Sequence, residues 1–593
     1  MNGRIEDKRG GAERGVLLSQ SLFLATVFGF FFFAGHYVLV FQESQSLFIF
    51  SREYLRHFLT EPGGLLTYAG AFLTHFYAGK VSGSLVVAVI LTLPAILLHS
   101  VARRLFPSRP ISWVFLLLPS CLLFVMQANL YHDMEYNLGF LLVLTFYFFS
   151  VSSRRTSHRT LVLALVPLFY YLADAYVAVL VGLLVIHTLF LETGKEKYVF
   201  IFLLLTITAI SLLLIRTVLS IQPVGPTFLS PLPSFENPAY NAALVFLAGY
   251  IVSFPFLFKV PIRALHNRFD KRVYSLPSKV IVFALFLWLL LLEYDPEIGK
   301  VVRLEELVHD GEWDEAIELQ ERTPSTFRVG QYLYNIALSE KGQLCDRLFF
   351  SRQDYGPESL FLPWSMENLN NAGLFYYAIG LMNEAHRAAF EDMVTYGYRP
   401  GNLRMLAKTS LLNGDYGMAK KYINILKGTF YYRGWAEDFE GLADDPELIR
   451  SRPELKAKLD ILPKNNFFVE YTNPRSNLEF LLEGQPDNRT ALEYLLAEGL
   501  LARDVEFAVG GIGGLEEAGY TRIPRHLEEA ALILFSRANV FPDLGRLTIS
   551  AETQARFERF SEAFSRARRN PTASRDQMQA EFGDTYWFYF YFF

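Results

Sequence analysis

A few polar groups at the ends of long apolar runs are the residues best suited to chemistry. Gln42-Glu43 follows the first run, and Tyr131-His132-Asp133-Met134-Glu135-Tyr136-Asn137 follows the third. Asp174 separates the fifth and sixth, while Arg216 and Glu236 bracket the long segment between the seventh and eighth. A charge is cheap at a wet span end and costly in hydrocarbon. Carboxylates converging from several spans can act as a general base or hold a divalent cation such as Mg or Mn. His132 beside Asp133 offers a possible acid–base pair. Taken singly, each acidic residue also reads as an ordinary loop residue, and His132 as an interfacial hydrogen-bonding group. The set is more informative than any member.

The elements that position these groups are helices. A membrane span needs about 20 mainly apolar residues. About nine spans are expected, at 18–40, 82–100, 111–128, 138–151, 160–175, 177–191, 198–215, 242–261 and 279–293. Positive charge alternates between their loops. Arg103, Arg104 and Arg109 follow the second span; Arg154, Arg155 and Arg159 follow the fourth; Lys195 and Lys197 follow the sixth. Lys259, Arg263, Arg268, Lys271, Arg272 and Lys279 surround the loop after the eighth. Basic loops stay cytoplasmic, so residues 1–17 form a cytoplasmic tail and the candidate carboxylates fall on the outer side. An odd number of spans places the remainder of the chain outside; miscounting one weak span would place it inside.

The first outer loop, 41–81, contains Leu47-Phe48-Ile49-Phe50, then Glu61-Pro62-Gly63-Gly64, then Leu65 through Tyr77. Its first part reads as a strand or short helix. Its second reads as an amphipathic or re-entrant helix, because aromatic and apolar residues alternate there with few charges. Such a loop either cradles a lipid-linked substrate or packs over the bundle.

Composition changes sharply near residue 296. Residues 296–584 read as a soluble all-helical domain with tetratricopeptide-like pairs. Asn402-Leu403, Leu406-Ala407, Leu411, Gly414-Asp415-Tyr416, Ala419 and Tyr422 give the clearest helix–turn–helix unit. Weaker units surround 304–317, 371–389 and 488–501. Stacked pairs make concave surfaces for a polypeptide, a subunit or a glycan. An irregular all-helical domain is the alternative. Gly510-Gly511-Ile512-Gly513-Gly514 reads as a flexible turn. The aromatic tail 585–593 is too short to span as a helix; it suits an interfacial anchor or a buried strand.

Several functions lack their sequence marks. A net charge of −5 without a basic cluster argues against nucleic acid as a partner. There is no phosphate-binding glycine loop, no His-Glu-x-x-His and no Gly-x-Ser-x-Gly. The only cysteines, Cys121 and Cys345, cannot build a zinc cluster alone, and Cys345 is expected to be a small buried apolar residue.

The order of these parts resembles the GT-C membrane glycosyltransferases, above all transmembrane O-mannosyltransferases with C-terminal tetratricopeptide repeats. It also looks like an uncharacterised Bacteroidota family of multi-pass membrane proteins. The GT-C resemblance covers the topology of 18–295 and the domain order. It implies a bacterial inner-membrane enzyme with a periplasmic C-terminal domain. Its substrate would be a polyprenyl-phosphate sugar drawn from the lipid, and its acceptor a protein or surface glycan. Glu43 would activate the acceptor hydroxyl, Asp133 and Glu135 would assist catalysis, and His132, Asp174, Arg216 and Glu236 would hold donor or substrate. Arginine suits the lipid phosphate because it donates paired hydrogen bonds. Gln42 stands where the O-mannosyltransferases carry the first member of an Asp-Glu pair, and Asp133-Met134-Glu135 stands for an Asp-x-Asp. A membrane-anchored scaffold for envelope assembly or secretion is the alternative function.

Overall fold

The computed structural model describes residues 2–107, 113–153, 155–215, 238–259, 286, 288, 290, 294–465, 467–538, 543–567 and 574–593. Arg216 and Glu236, most of the expected ninth span and the basic loop around Arg268 lie outside them. No strand occurs among the described residues. The chain divides into two compact units, Met1–Asp295 and Pro296–Phe593.

In the first unit the order is α1 (Asn2–Phe33), α2 (His36–Ser44), α3 (Arg52–Phe58), α4 (Gly64–Thr74), α5 (Lys80–Leu105), α6 (Trp113–Gln127), α7 (Met134–Ser150), α8 (Thr156–Ala173), α9 (Tyr176–Leu191), α10 (Glu196–Leu214) and α11 (Pro238–Lys259). Among the described residues, four helical stretches are long and apolar enough to cross a membrane: Gly15–Phe33, Lys80–Leu105, Glu196–Leu214 and Tyr240–Leu257. For three of the other expected spans the difference is one of length, while α8 carries a polar first turn, Thr156-Ser157-His158-Arg159-Thr160. At about 1.5 Å per residue, α6, α7 and α9 rise only about 23–26 Å, short of a hydrocarbon core of about 30 Å. The first apolar run also breaks earlier than expected: α1 stops at Phe33, and a turn at Ala34-Gly35 leads into α2. Helix α5 packs against α1, α6 and α7, and α9 packs against α7 and α11. Val87, Leu91, Ala95, Leu98, Val143 and Leu180 fill the resulting core.

The segment 41–81 has its own small aromatic core. Ser51 caps α3 by accepting a hydrogen bond from Tyr54 N at 3.0 Å. Buried Phe48 meets Phe50, Tyr54, Tyr68 and Phe72 with ring centroids 4.9–5.5 Å apart. Residues 46–50 are neither strand nor helix, and the short helix begins after them at Arg52.

The second unit is built from successive helices joined by short turns. Pro400–Leu412 and Tyr416–Lys427 form the hairpin expected at Gly414. Asp415 caps the second helix by accepting from Met418 N at 3.1 Å. Leu403, Leu406, Ala407 and Leu411 face Ala419, Tyr422 and Ile423 in the core, the i, i+3, i+4 pattern of a packed helix face. Asn488 and Asp504 cap Arg489–Leu501 and Val505–Gly510 in the same way.

Two expectations are corrected here. The glycine-rich 510–514 is the end of a helix followed by a 3₁₀ turn, held by buried Ile512 and Leu515. The aromatic tail is a helix, Tyr586–Phe592, with Trp587 fully buried. Tyr586 N donates to Glu529 Oε2 at 2.6 Å and Trp587 Nε1 to Glu529 O at 2.8 Å. A charged anchor thus fixes a segment whose aromatics show no helical period. Both cysteines are free, and buried Cys345 donates through Sγ to Glu493 O.

Candidate functional site

The polar residues of the first unit sort by end. At one end Arg104 donates to Ser152 Oγ, Arg159 pairs with Glu192, and Lys259 donates to Phe190 O. The expected carboxylates Glu43, Asp133, Glu135 and Asp174 lie at the opposite end, beside the segment 41–81.

Buried amides organise that end. Gln42 Nε2 donates to Asn129 O at 3.2 Å and His132 O at 3.0 Å. Gln127 Nε2 donates to Gln42 Oε1 at 3.0 Å, and Asn137 Nδ2 donates to Gln127 Oε1. The His132 ring meets Asn137 Oδ1 through Nε2 at 3.2 Å. Gln127 and His132 are fully buried and Asn137 nearly so. Buried amides are costly unless paired, and here three helices supply one another's partners. The network ties α2 to the turn between α6 and α7, and so sets where Asp133 begins α7. Burial pushes the His132 ring down to about 4, which keeps it neutral at physiological pH. Asp133 pairs instead with the Tyr136 side chain, so the acid–base partner expected of His132 is replaced by Asn137 and that of Asp133 by Tyr136 in the bonds described.

Helix α4 lies over Glu135 and Asp174. Glu135 bonds the Thr67 side chain. Gly70 presses on the first turn of α7: a Cβ there would sit 3.0 Å from both Glu135 Cβ and Glu135 N. Gly63 has φ +80, donates to Tyr171 O at 2.9 Å, and offers a Cβ position 3.1 Å from Asp174 Cβ. Only glycine takes that backbone form and that approach without strain. Asp174 itself adopts φ 43 at the corner between α8 and α9, a strained form seen at sites where the surroundings over-determine the backbone. Tyr171 Oη donates to Leu59 O at 2.7 Å and closes the loop onto α8.

The four carboxylates differ in setting. Glu43 is buried at 7% exposure in α2, next to Gln42. Asp133 keeps an exposed edge, yet crowding by its neighbours raises its carboxyl above the usual range. Tyr77 is fully buried nearby, and burial first, then the Asp133 charge, raises its phenol. A carboxylate with raised proton affinity at an accessible rim is suited to general-base work. Among the described residues no group of three or more His, Cys, Asp and Glu side chains could hold a metal ion.

Gln127 and Tyr77 are not singled out by their sequence positions. The available signal was a strongly polar Gln127 inside an apolar run, since polar groups in a span tend to face its interior.

No curated protein and no solved structure matches the chain. A family model matches residues 14–593, which covers both units and every candidate residue. The chain belongs to DUF6057, a family of unknown function.

Proposed function

We propose that the chain transfers a sugar from a polyprenyl-phosphate donor to a protein or surface-glycan acceptor outside the cytoplasm. The supporting observation is that Glu135 and Asp174 sit against Gly70 and Gly63 of one covering helix, with Glu43 and Asp133 at the same end, away from Arg104, Arg159 and Lys259. In this reading about nine helices cross or enter a bacterial inner membrane. The basic end faces the cytoplasm, the carboxylate end faces the periplasm, and the second unit lies there too.

Glu43 takes the proton of the acceptor hydroxyl. That oxygen bonds the anomeric carbon as the bond from carbon to donor phosphate oxygen breaks. The phosphate leaves with the bonding pair and needs electrostatic help more than an acid. Arg216 supplies that charge. Asp133 and Glu135 assist the base, while Asp174, Glu236 and neutral His132 orient substrate. The tetratricopeptide-like hairpins of the second unit present the acceptor.

A non-enzymatic scaffold is the second reading. Its support is the exposed Phe390, Val394, Tyr396 and Tyr398 along and after the helix Met382–Tyr396, an apolar face of the kind that takes a protein partner.

Photo-crosslinking tests the first reading. The full chain in nanodiscs is irradiated with diazirine-bearing undecaprenyl phosphate and mapped by peptide mass spectrometry. Labels within 41–81 or 128–137, lost on adding unlabelled undecaprenyl phosphate, are expected. Labels spread over the apolar surface and indifferent to competitor contradict it.

A further inference from the structure

The second unit contains a cleft of about 360 Å³ between the segment Phe349–Gln353 and the two last helices. That volume is at the small end of ligand sites. One wall is a ladder of rings. Phe349 and Tyr589 lie with centroids 4.7 Å apart and 32° between planes, and Tyr589 and Phe593 5.6 Å apart at 21°. The first two rings are buried, whereas Phe593 is 48% exposed at the mouth. The ladder therefore ends on a half-exposed ring, with the Arg575 guanidinium 5.7 Å from its centroid.

The other wall is polar and electrically balanced. Asp584 accepts from Arg525 at 3.0 Å and from Arg556 at 2.6 Å. Arg352, at the rim, holds Asp354 through Nε at 2.7 Å. Gln353 is committed inside the protein, bonding Asn335 and Leu348 O. Gln579 is exposed on the cleft wall. Arg525 also holds Glu529 Oε1 at 3.0 Å, so these three guanidiniums face three carboxylates and favour neither an anion nor a cation. A wholly apolar ligand would cover the Gln579 amide and the remaining N–H groups of Arg352 without replacing their water.

The geometry points to a neutral carbohydrate as the ligand of this cleft. A sugar ring presents a flat face of C–H groups, which the negative face of Phe593 attracts, and a rim of hydroxyls that Arg352 and Gln579 can bond. This deepens the transferase reading by assigning an acceptor-glycan subsite, and it rests on that reading only for the ligand's role.

The test is saturation-transfer NMR on the full chain in nanodiscs with neutral disaccharides of glucose, mannose and N-acetylglucosamine. Binding of at least one in the millimolar range is expected. Arg352→Ala, Gln579→Ala and Phe593→Ala should each weaken it about tenfold, while Gln577→Ala leaves it unchanged. Circular dichroism melts confirm that the variants fold. No binding by any of the three sugars overturns the proposal, as does binding that Gln579→Ala and Phe593→Ala both leave intact. Binding without sugar transfer leaves the cleft assigned and removes the transferase reading; transfer without binding does the reverse.

Discussion

Glu493 shows how burial turns one residue into a pH-dependent element of stability. It accepts from Leu344 N at 3.4 Å and from Tyr520 Oη, with Arg489 Nε 3.8 Å away. Asp346 and Cys345 face it as well. Burial raises its carboxyl from 4.5 to about 7. The folded state therefore binds the proton more tightly than the unfolded one. The stabilisation is complete below pH 4.5 and is lost as pH rises through about 7. Half-buried His309, pushed down to about 4 by desolvation, has the opposite slope, because its neutral form is the one that folds. Glu493→Gln isolates the first effect. The wild-type minus variant difference in unfolding free energy should change by on the order of 3 kcal/mol from pH 4.5 to 7. A difference that stays flat across that window contradicts this setting for Glu493.

At the scale of elements, the most informative case is the helix Tyr586–Phe592. Trp587 is fully buried against Phe557 and Phe560. Trp587→Ala should cost about 3–5 kcal/mol, read as an earlier thermal loss of helix and faster proteolysis of the second unit. An unchanged melt would show that the tail is a loose appendage. This helix was not legible in the sequence. Eight aromatics in a row have no polar face, so periodicity is silent, and the decisive contact is Glu529, far away in the chain. The glycines at 510–514 misled in a similar way, because a local preference for turns yields to burial of Ile512 and Leu515. By contrast, the hairpin at 400–427 was legible, since its apolar spacing, Gly414 and the Asp415 cap all agree. The covering helix was legible too: α4 starts at Gly64, immediately after the Pro62-Gly63 break. What the sequence could not show was that Gly63 and Gly70 seat it on Asp174 and Glu135. A close approach depends on the partner surface, and nothing local reports it.

For the whole molecule, the alternation of basic loops was legible because charge placement across a membrane is costly to violate. The number of crossings was less so. Apolar composition marks α6, α7 and α9, yet they are short, and four stretches among the described residues qualify by length and composition. The topology proposed above predicts that a cysteine placed at exposed Phe430 reacts with a membrane-impermeant maleimide in intact spheroplasts. One placed at Arg103 should react only after permeabilisation, with Cys121 and Cys345 replaced by serine in both. The reverse pattern would put the carboxylate end in the cytoplasm.

The central claim is that this end of the bundle performs glycosyl transfer through Glu43. Its most direct measurement compares surface glycans and protein glycoforms, by mass spectrometry, in cells lacking the gene and in cells complemented with wild type or Glu43→Gln at equal protein levels. The account predicts that deletion removes a defined glycan, that wild type restores it, and that Glu43→Gln does not. Glycosylation unchanged by deletion, or fully restored by Glu43→Gln, would contradict it.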